Sequence, residues 1–304
     1  MLAIVIPYFN LLFFEETLKS LANQTDKRFK VYIGDDASPD NPKQLIEKYK
    51  GRFNLDYFRF QSNLGSISLT RQWERCIDLT ENEEWIMILG DDDVLGKNVV
   101  EEFYKKKIEF DDKSNVVRFA TKIINEKSGT VSESFLHPKW ETASDSFCRK
   151  ANFLTRSSLS EYLFSKKIYT KYKFRTYPLA WHSDDMAWID FCEQKLIFTI
   201  NESLVFIRES NVSISGKRDN KILKNKASVL FMTDLITEKL VLFTKNQTLH
   251  LLLIFEIEIK KYRKISFKEY LFLLKFYFKN FSLIHLSKLI RRILIHRSKK
   301  KIKN

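Results

Sequence analysis

Four short apolar runs in the first ninety residues each break off into a polar cluster, and that repetition constrains the fold more than any other feature. Leu2–Ile6 gives way to Pro7-Tyr8-Phe9-Asn10, and Phe29–Ile33 to Gly34-Asp35-Asp36-Ala37-Ser38-Pro39-Asp40. Leu55–Phe60 gives way to Gln61-Ser62-Asn63-Leu64-Gly65, and Trp85–Leu89 to Gly90-Asp91-Asp92-Asp93. Between the runs, Phe14, Leu18 and Leu21 recur at helical spacing, as do Val100, Phe103, Tyr104 and Ile108. Strands alternating with helices predict right-handed βαβ units and a largely parallel sheet. Such sheets bind ligands beyond the carboxyl ends of their strands. The four clusters therefore converge on one edge.

Farther along, Val116–Ala120 reads as a fifth strand, and residues 121–180 are irregular, rich in Ser, Thr, Lys and aromatics. A helical pattern begins near Asp184, with Ser183 as its expected cap, and two short apolar runs follow at Leu196–Ile200 and Leu204–Ile207. From Ile222 the pattern is helical to the end, and the expected break lies at 214–220. The reading is an α/β catalytic domain over 1–215, followed by a helical, basic region over 216–304.

Composition narrows the classes. Hydrophobic residues at 44% exclude a disordered chain, and 7 Gly with 5 Pro argue against a turn-dense all-β one. Three cysteines without ligand spacing (Cys76, Cys148, Cys192) exclude a zinc module and a disulfide scaffold. The opening residues lack the charged segment of a signal peptide, and no stretch reaches the length of a membrane span, so a cytoplasmic location is expected.

Of the 52 Lys and Arg, 15 fall within 260–304 beside a single acidic residue, Glu269, so the whole net charge of +14 resides in that tail. Its charges alternate with bulky apolar side chains, as in Tyr270–Lys279 and Leu286–Ile295, before Arg297, Lys299, Lys300, Lys301 and Lys303. Amphipathic basic helices suit an anionic membrane surface better than nucleic acid, and a peripheral attachment to the inner face of the cell membrane is expected. A solvated basic face is the alternative.

One acidic turn is ordinary turn chemistry. Several carboxylates at one sheet edge repel one another unless a cation joins them. In an extended segment Asp91 and Asp93 face one way and Asp92 the other.

The ordered set Val5–Asn10, Gly34–Asp40, Asn63-Leu64-Gly65, Thr70-Arg71 and Leu89–Leu95 resembles the family 2 glycosyltransferases of the GT-A fold, over residues 1 to about 215. The resemblance implies a Rossmann-like sandwich with a mainly parallel central sheet and transfer of a sugar from a nucleotide donor. It makes Asp91–Asp93 the DxD motif, with Asp93 and Asp91 as ligands of Mn²⁺ or Mg²⁺ and Asp92 beside the nucleotide. It makes Asp36 the base-reading aspartate, with Asp35 beside it. Pro7, Tyr8, Asn63 and Gly65 border the nucleotide. Arg71 either reaches a phosphate or pairs with Glu74 on the helix surface.

In Trp181-His182-Ser183-Asp184-Asp185-Met186-Ala187-Trp188, the resemblance makes Asp185 the general base, with Asp184 as the alternative or as an acceptor-positioning group. His182 and Trp181 are candidate substrate contacts, and Trp181 and Trp188 a sugar platform with at least one packed in the core. Arg208 is a candidate diphosphate contact, and Ser210 stands where the family often has a metal-proximal His. One base and one stabilised leaving group suffice for an inverting displacement. The expected donor is a UDP-sugar and the acceptor a glycan or lipid-linked hydroxyl in surface polysaccharide assembly. A nucleotidyltransferase is disfavoured because residues 7–15 hold no Gly, Lys or Arg. A non-catalytic glycan-binding scaffold is disfavoured by the joint presence of Asp36, Asp91, Asp93 and Asp185.

Overall fold

A computed structural model describes residues 1–301 except 212, 214, 215, 217, 218, 262, 281 and 282, with side chains through 292. The chain divides into Met1–Asn220 and Lys221–Asn304.

In the first unit the strands are β1 (Leu2–Tyr8), β2 (Phe29–Asp35), β3 (Asn54–Arg59), β4 (Trp85–Ile88), β5 (Val94–Leu95), β6 (Val116–Asn125), β7 (Thr130–Val131), β8 (Trp140–Glu141), β9 (Tyr162–Ser165) and β10 (Ile197–Glu209). Its helices are α1 (Phe14–Ala22), α2 (Lys43–Tyr49), α3 (Leu69–Ile77), α4 (Val99–Phe110), α5 (Ala143–Ala151), α6 (Lys166–Tyr172) and α7 (Ser183–Cys192). The described strands form one mixed sheet in the order β3-β2-β1-β4-β9-β6-β10-β5. The βαβ part, β3-β2-β1-β4, is parallel throughout, with Tyr8 opposite Asp35 at its carboxyl edge.

Beyond β4 the sheet departs from the sequence expectation. β9, drawn from the irregular stretch, enters antiparallel between β4 and β6. Its Tyr162-Leu163-Phe164-Ser165 is four residues long, too short to show a period. The two apolar runs after 195 are one strand, β10, whose register against β6 shifts between Ile200 and Leu204.

The β1 and β2 side chains are buried on both faces, with α1 and α4 on one side and α3, α6 and α7 on the other. Phe14, Leu18 and Leu21 are buried as their spacing requires. On α4 the expected stripe holds for Val100 and Phe103, whereas Ile108 is 87% exposed and Phe110 takes its place, packed on Trp85 and Phe198.

The second unit contains α8 (Lys221–Asp234), α9 (Lys245–Lys260), α10 (Phe267–Lys279) and α11 (Leu283–Lys301). Capping boxes start α9 at Thr244 and Gln247 and α10 at Ser266 and Glu269. Buried Glu256 of α9 is clamped by Arg292 of α11 at 2.7 and 2.9 Å. No described helix is long and apolar enough to cross a membrane. The side chains of Arg297, Lys299, Lys300, Lys301 and Lys303 lie outside the described residues.

Candidate active site

The polar clusters meet at the carboxyl edge because their backbones bond one another there. Asp36 N donates to Tyr8 O at 3.0 Å, Phe60 N to Asp35 O at 2.9 Å, and Leu89 N to Val5 O at 2.9 Å. From this frame the two aspartates after β2 separate. Asp35 is fully buried and accepts from Ser38 N at 2.8 Å, Tyr57 Oη at 2.5 Å and Arg59 Nη1 at 2.7 Å. Its oxygens are committed to the protein.

Asp36 holds the Asn63-Leu64-Gly65 loop, accepting from Leu64 N at 2.7 Å and Gly65 N at 2.8 Å. A Cβ at position 65 would lie 2.5 Å from Asp36 Oδ2, so only glycine permits the approach. Asn63 Oδ1 accepts from Ser66 N and closes the turn. The cation on Asp36 is Arg75, which also lies over the Phe60 ring. Arg71, one turn earlier, is exposed and its charge is felt by Glu74. The Tyr8 ring is buried against Phe14, with its hydroxyl turned toward Asp40 O, and Pro7 is half-buried beside it.

The three aspartates after β4 do not alternate as an extended segment would. Asp93 N donates to Gly90 O at 3.3 Å, which closes a turn. A Cβ on Gly90 would meet Asp93 Oδ2 at 2.9 Å and Asp92 Oδ1 at 3.0 Å, so these two carboxylates gather on one side. Asp91 Oδ2 instead accepts from Phe9 N and Asn10 N, both at 2.7 Å. Burial followed by repulsion from Asp93 and Asp91 pushes Asp92 up to about 8. Asp91 rises to about 6, chiefly through burial, and burial raises Asp93 as well. No group of three or more metal-ligating side chains is preassembled among the described residues. The gathered carboxylates of Asp92 and Asp93, with the charge of Asp91 beside them, nevertheless fit a divalent cation, which would relieve their repulsion while other oxygens complete its shell.

Arg208 is buried at the end of β10 and turned inward. Its backbone N donates to Asp93 Oδ1 at 2.9 Å, its Nε to Asp92 O at 2.8 Å, and its guanidinium meets Glu16 and Glu126. It therefore braces the aspartate turn. Ser210 Oγ accepts from Ser213 N.

The second acidic cluster opens α7. His182, not Ser183, is the N-cap, and Ser183 Oγ accepts from Tyr177 N at 3.4 Å. Asp185 is buried and accepts from Lys150 Nζ at 2.6 Å and His182 Nδ1 at 2.7 Å. Although burial opposes it, the charges of Lys150 and His182 hold the Asp185 carboxyl well below the usual range. Asp184 moves the other way, raised by burial and by the Asp185 charge. Trp188 stacks on Tyr162 at 4.2 Å inside the core, whereas Trp181 is half-exposed beside the His182 ring.

Beside the aspartate turn lie buried polar side chains that the motifs do not mark. Ser160 Oγ accepts from Gly90 N at 3.0 Å and bonds the Asp93 side chain. Its neighbour Glu161 is fully buried on Arg156 and Ser158, and burial raises it to about 7. Ser158-x-x-Glu161 is a capping box legible in sequence, but the partners Arg156 and Lys150 carry no such mark.

The sheet order and its two helical layers form a GT-A architecture. The glycosyl transferase family 2 profile matches residues 3–178, and the chain belongs to that family. Poly(ribitol-phosphate) beta-N-acetylglucosaminyltransferase TarS of Staphylococcus aureus is 28% identical over 104 residues, 33% of this chain. The match spans only 18% of the length of that relative. The crystal structure of S. aureus TarS 1–349 in complex with UDP-GlcNAc is similar at a TM-score of 0.64 and 16% identity, covering 92% of this chain and 80% of that one. The corresponding UDP complex has a TM-score of 0.60 at 16% identity, covering 90% and 78%.

Proposed function

We propose that this chain transfers a sugar from a nucleoside-diphosphate donor, a UDP-sugar, to a hydroxyl of a glycan or lipid-linked acceptor, with inversion. The observation that carries the reading is the meeting of the Asp91–Asp93 turn, bonded to Phe9 and Asn10 after β1, with the Asp36-held Asn63–Gly65 loop at the carboxyl edge of the sheet. The UDP and UDP-GlcNAc complexes of TarS favour a UDP-sugar.

In this reading Asp36 and the Asn63–Gly65 loop receive the base, and Phe9 and Asn10 keep Asp91 in place beneath the diphosphate. Mn²⁺ or Mg²⁺ held by Asp93 and Asp91 would supply positive charge to the departing diphosphate. Arg208, Thr17 and Ser160 keep the aspartate turn in position; Thr17 Oγ1 donates to Asp93 O at 2.9 Å and Asp91 O at 3.1 Å. The cluster at Asp184 and Asp185 receives the acceptor proton.

The second unit suits an acceptor displayed on an anionic membrane. On α10, Phe267, Leu271 and Phe278 are exposed with half-buried Leu274 among them. At 100° per residue these four span about 60° of arc, and Lys268, Lys275 and Lys279 lie along one side of them. An apolar stripe bordered by lysines is the pattern of a helix lying in a headgroup layer.

The test is a panel of nucleotide sugars incubated with the full chain and Mn²⁺ or Mg²⁺. Release of the nucleoside diphosphate with transfer or hydrolysis of the sugar is expected, and NMR of the product should show an inverted anomeric centre. Pyrophosphate release would assign the chain to donor activation instead, and inactivity across the panel would refute transfer.

A further inference from the structure

The tip between α5 and β9 is built against local preference. Helix α5 ends with Phe153 N donating to Lys150 O at 2.9 Å and Leu154 N to Arg149 O at 3.0 Å. That pair of bonds puts the residue after the cap in the left-handed region, a position ordinarily filled by glycine or asparagine. Asn152 stands one place too early, and Phe153 carries the turn at φ 58°. Its Cβ works against that conformation. Burial does not compensate. Phe153 is 94% exposed, more than any other large apolar side chain among the described residues, and Leu154 is 73% exposed. The apolar contact that usually accompanies such a helix end is therefore left largely unmade. Strain of this kind persists where the surroundings over-determine it, commonly at ligand sites.

Both flanks of the tip are anchored at the site. On one side Lys150 Nζ lies 2.6 Å from Asp185 Oδ1. On the other, Arg156 pairs with buried Glu161 at 3.2 Å, and its charge is felt at Asp93. Ser157, Lys150 and Asp185 line one small cavity between α5 and α7. Phe153 thus stands three residues from the ammonium that touches the acidic pair.

Charge decides what the tip can receive. Arg149 meets Glu141 at 2.6 Å, Lys150 meets Asp185, and Arg156 meets Glu161. Each cation between positions 149 and 158 is committed to a carboxylate, so the tip is an uncharged apolar surface that offers little to an anionic headgroup or a polyphosphate. One aromatic ring and one aliphatic chain match the C–H face of a single pyranose and are too small for a face that lies in lipid.

We propose that Phe153, with Leu154 beside it, is the platform on which the acceptor's sugar ring stacks while the acidic pair at the start of α7 takes the proton of its hydroxyl. The inference rests on the transfer reading above and names the acceptor class within it, a pyranose ring rather than an open-chain polyol. Phe153 binds the face of the ring and leaves its rim of hydroxyls to the acidic pair.

The experiment measures transfer by the full chain from UDP-GlcNAc, or from whichever sugar nucleotide the wild type turns over, to a panel of soluble acceptors. The panel holds methyl pyranosides of hexoses and N-acetylhexosamines, with ribitol phosphate and glycerol phosphate as open-chain members. The wild type is expected to prefer a pyranoside. Phe153→Ala should raise the KM for that pyranoside about tenfold, the loss of one aromatic contact, with kcat within about threefold and UDP affinity unchanged. Phe153→Trp should restore the KM, because it supplies another flat ring. Phe153→Gly removes the strained Cβ, so it should melt no lower than the wild type and still show the raised KM; a purely structural role would move both together. It also carries the test if Phe153→Ala fails to fold. Ile108→Ala, at a similarly exposed apolar residue on α4, should leave the KM as it is.

A wild-type KM in Phe153→Ala or Phe153→Gly would overturn the proposal. So would a wild type that uses only the open-chain acceptors, or one that splits the sugar nucleotide and transfers to no member of the panel. Loss of binding to phosphatidylserine vesicles in Phe153→Ala, with its KM unchanged, would assign the tip to the membrane instead. A wild type that releases no diphosphate from any nucleotide sugar would refute the transfer reading itself.

Discussion

Gly65→Ala probes the contact on which base recognition is proposed to depend. The new Cβ would sit 2.5 Å from Asp36 Oδ2, where 3.4 Å is an ordinary contact. Asp36 cannot simply swing aside, because it is 4% exposed and held by Leu64 N, Gly65 N and Arg75. Retreat to an ordinary contact takes Oδ2 out of reach of Gly65 N. A hydrogen bond to a charged group contributes about 1.5–3 kcal/mol. Water at the half-exposed loop replaces part of it, so a loss of about 2 kcal/mol is expected. In a unit of this size that lowers Tm by roughly 4–8 °C. If the displaced carboxylate reads the base, UDP affinity falls by about 30-fold, since 1.4 kcal/mol is a factor of ten. Thermal melts and calorimetric titration with UDP measure both effects. Gly129→Ala is the control: φ is +65° with nothing within 4 Å, so it strains the backbone and leaves UDP affinity unchanged. A Gly65→Ala protein that melts and binds UDP like the wild type would refute the clamp.

Three further outcomes are expected. Asp93→Ala should weaken metal-dependent binding of UDP far more than binding of uridine, whose lack of phosphates gives the cation nothing to bridge; equal losses for both would remove the metal from Asp93. His137 is buried and accepts from Arg149 at 2.9 Å, and burial with the Arg118, Arg149 and Arg156 charges lowers it to about 3. Below pH 6.5 the unfolded chain binds a proton that the folded one refuses, so stability falls as pH drops from 6.5 toward 3. His137→Gln should flatten that part of the urea-denaturation profile, and a parallel decline in both proteins would contradict the assignment. Ending the chain after Arg297 removes Lys299, Lys300, Lys301 and Lys303, each contributing about 1 kcal/mol of attraction to anionic lipid. Sedimentation with phosphatidylserine vesicles should drop, most at low salt, and unchanged binding at every salt concentration would make the tail a solvated face.

The sequence by itself determined the βαβ half of the sheet and the edge at which its polar clusters meet. The signal there is local: apolar runs of five or six residues, separated by helical stripes, can bury their side chains in few other ways. It also located the acidic pair and the aspartate turn, because those residues are contiguous in the chain. It did not determine where those side chains point. The alternation expected for Asp91–Asp93 required an extended backbone, and a turn closed by Asp93 N on Gly90 O replaced it. Arg71 and Arg75 lie one helical turn apart, and only the position of α3 beside Asp36 selects Arg75. Arg208 reaches Glu16 and Glu126, 192 and 82 positions away, and Asp185 reaches Lys150 35 positions back. Partners so distant leave no spacing to read. β9 was hidden for the opposite reason: four residues buried between two neighbours are too few to display a period, and only the gap between β4 and β6 makes them a strand.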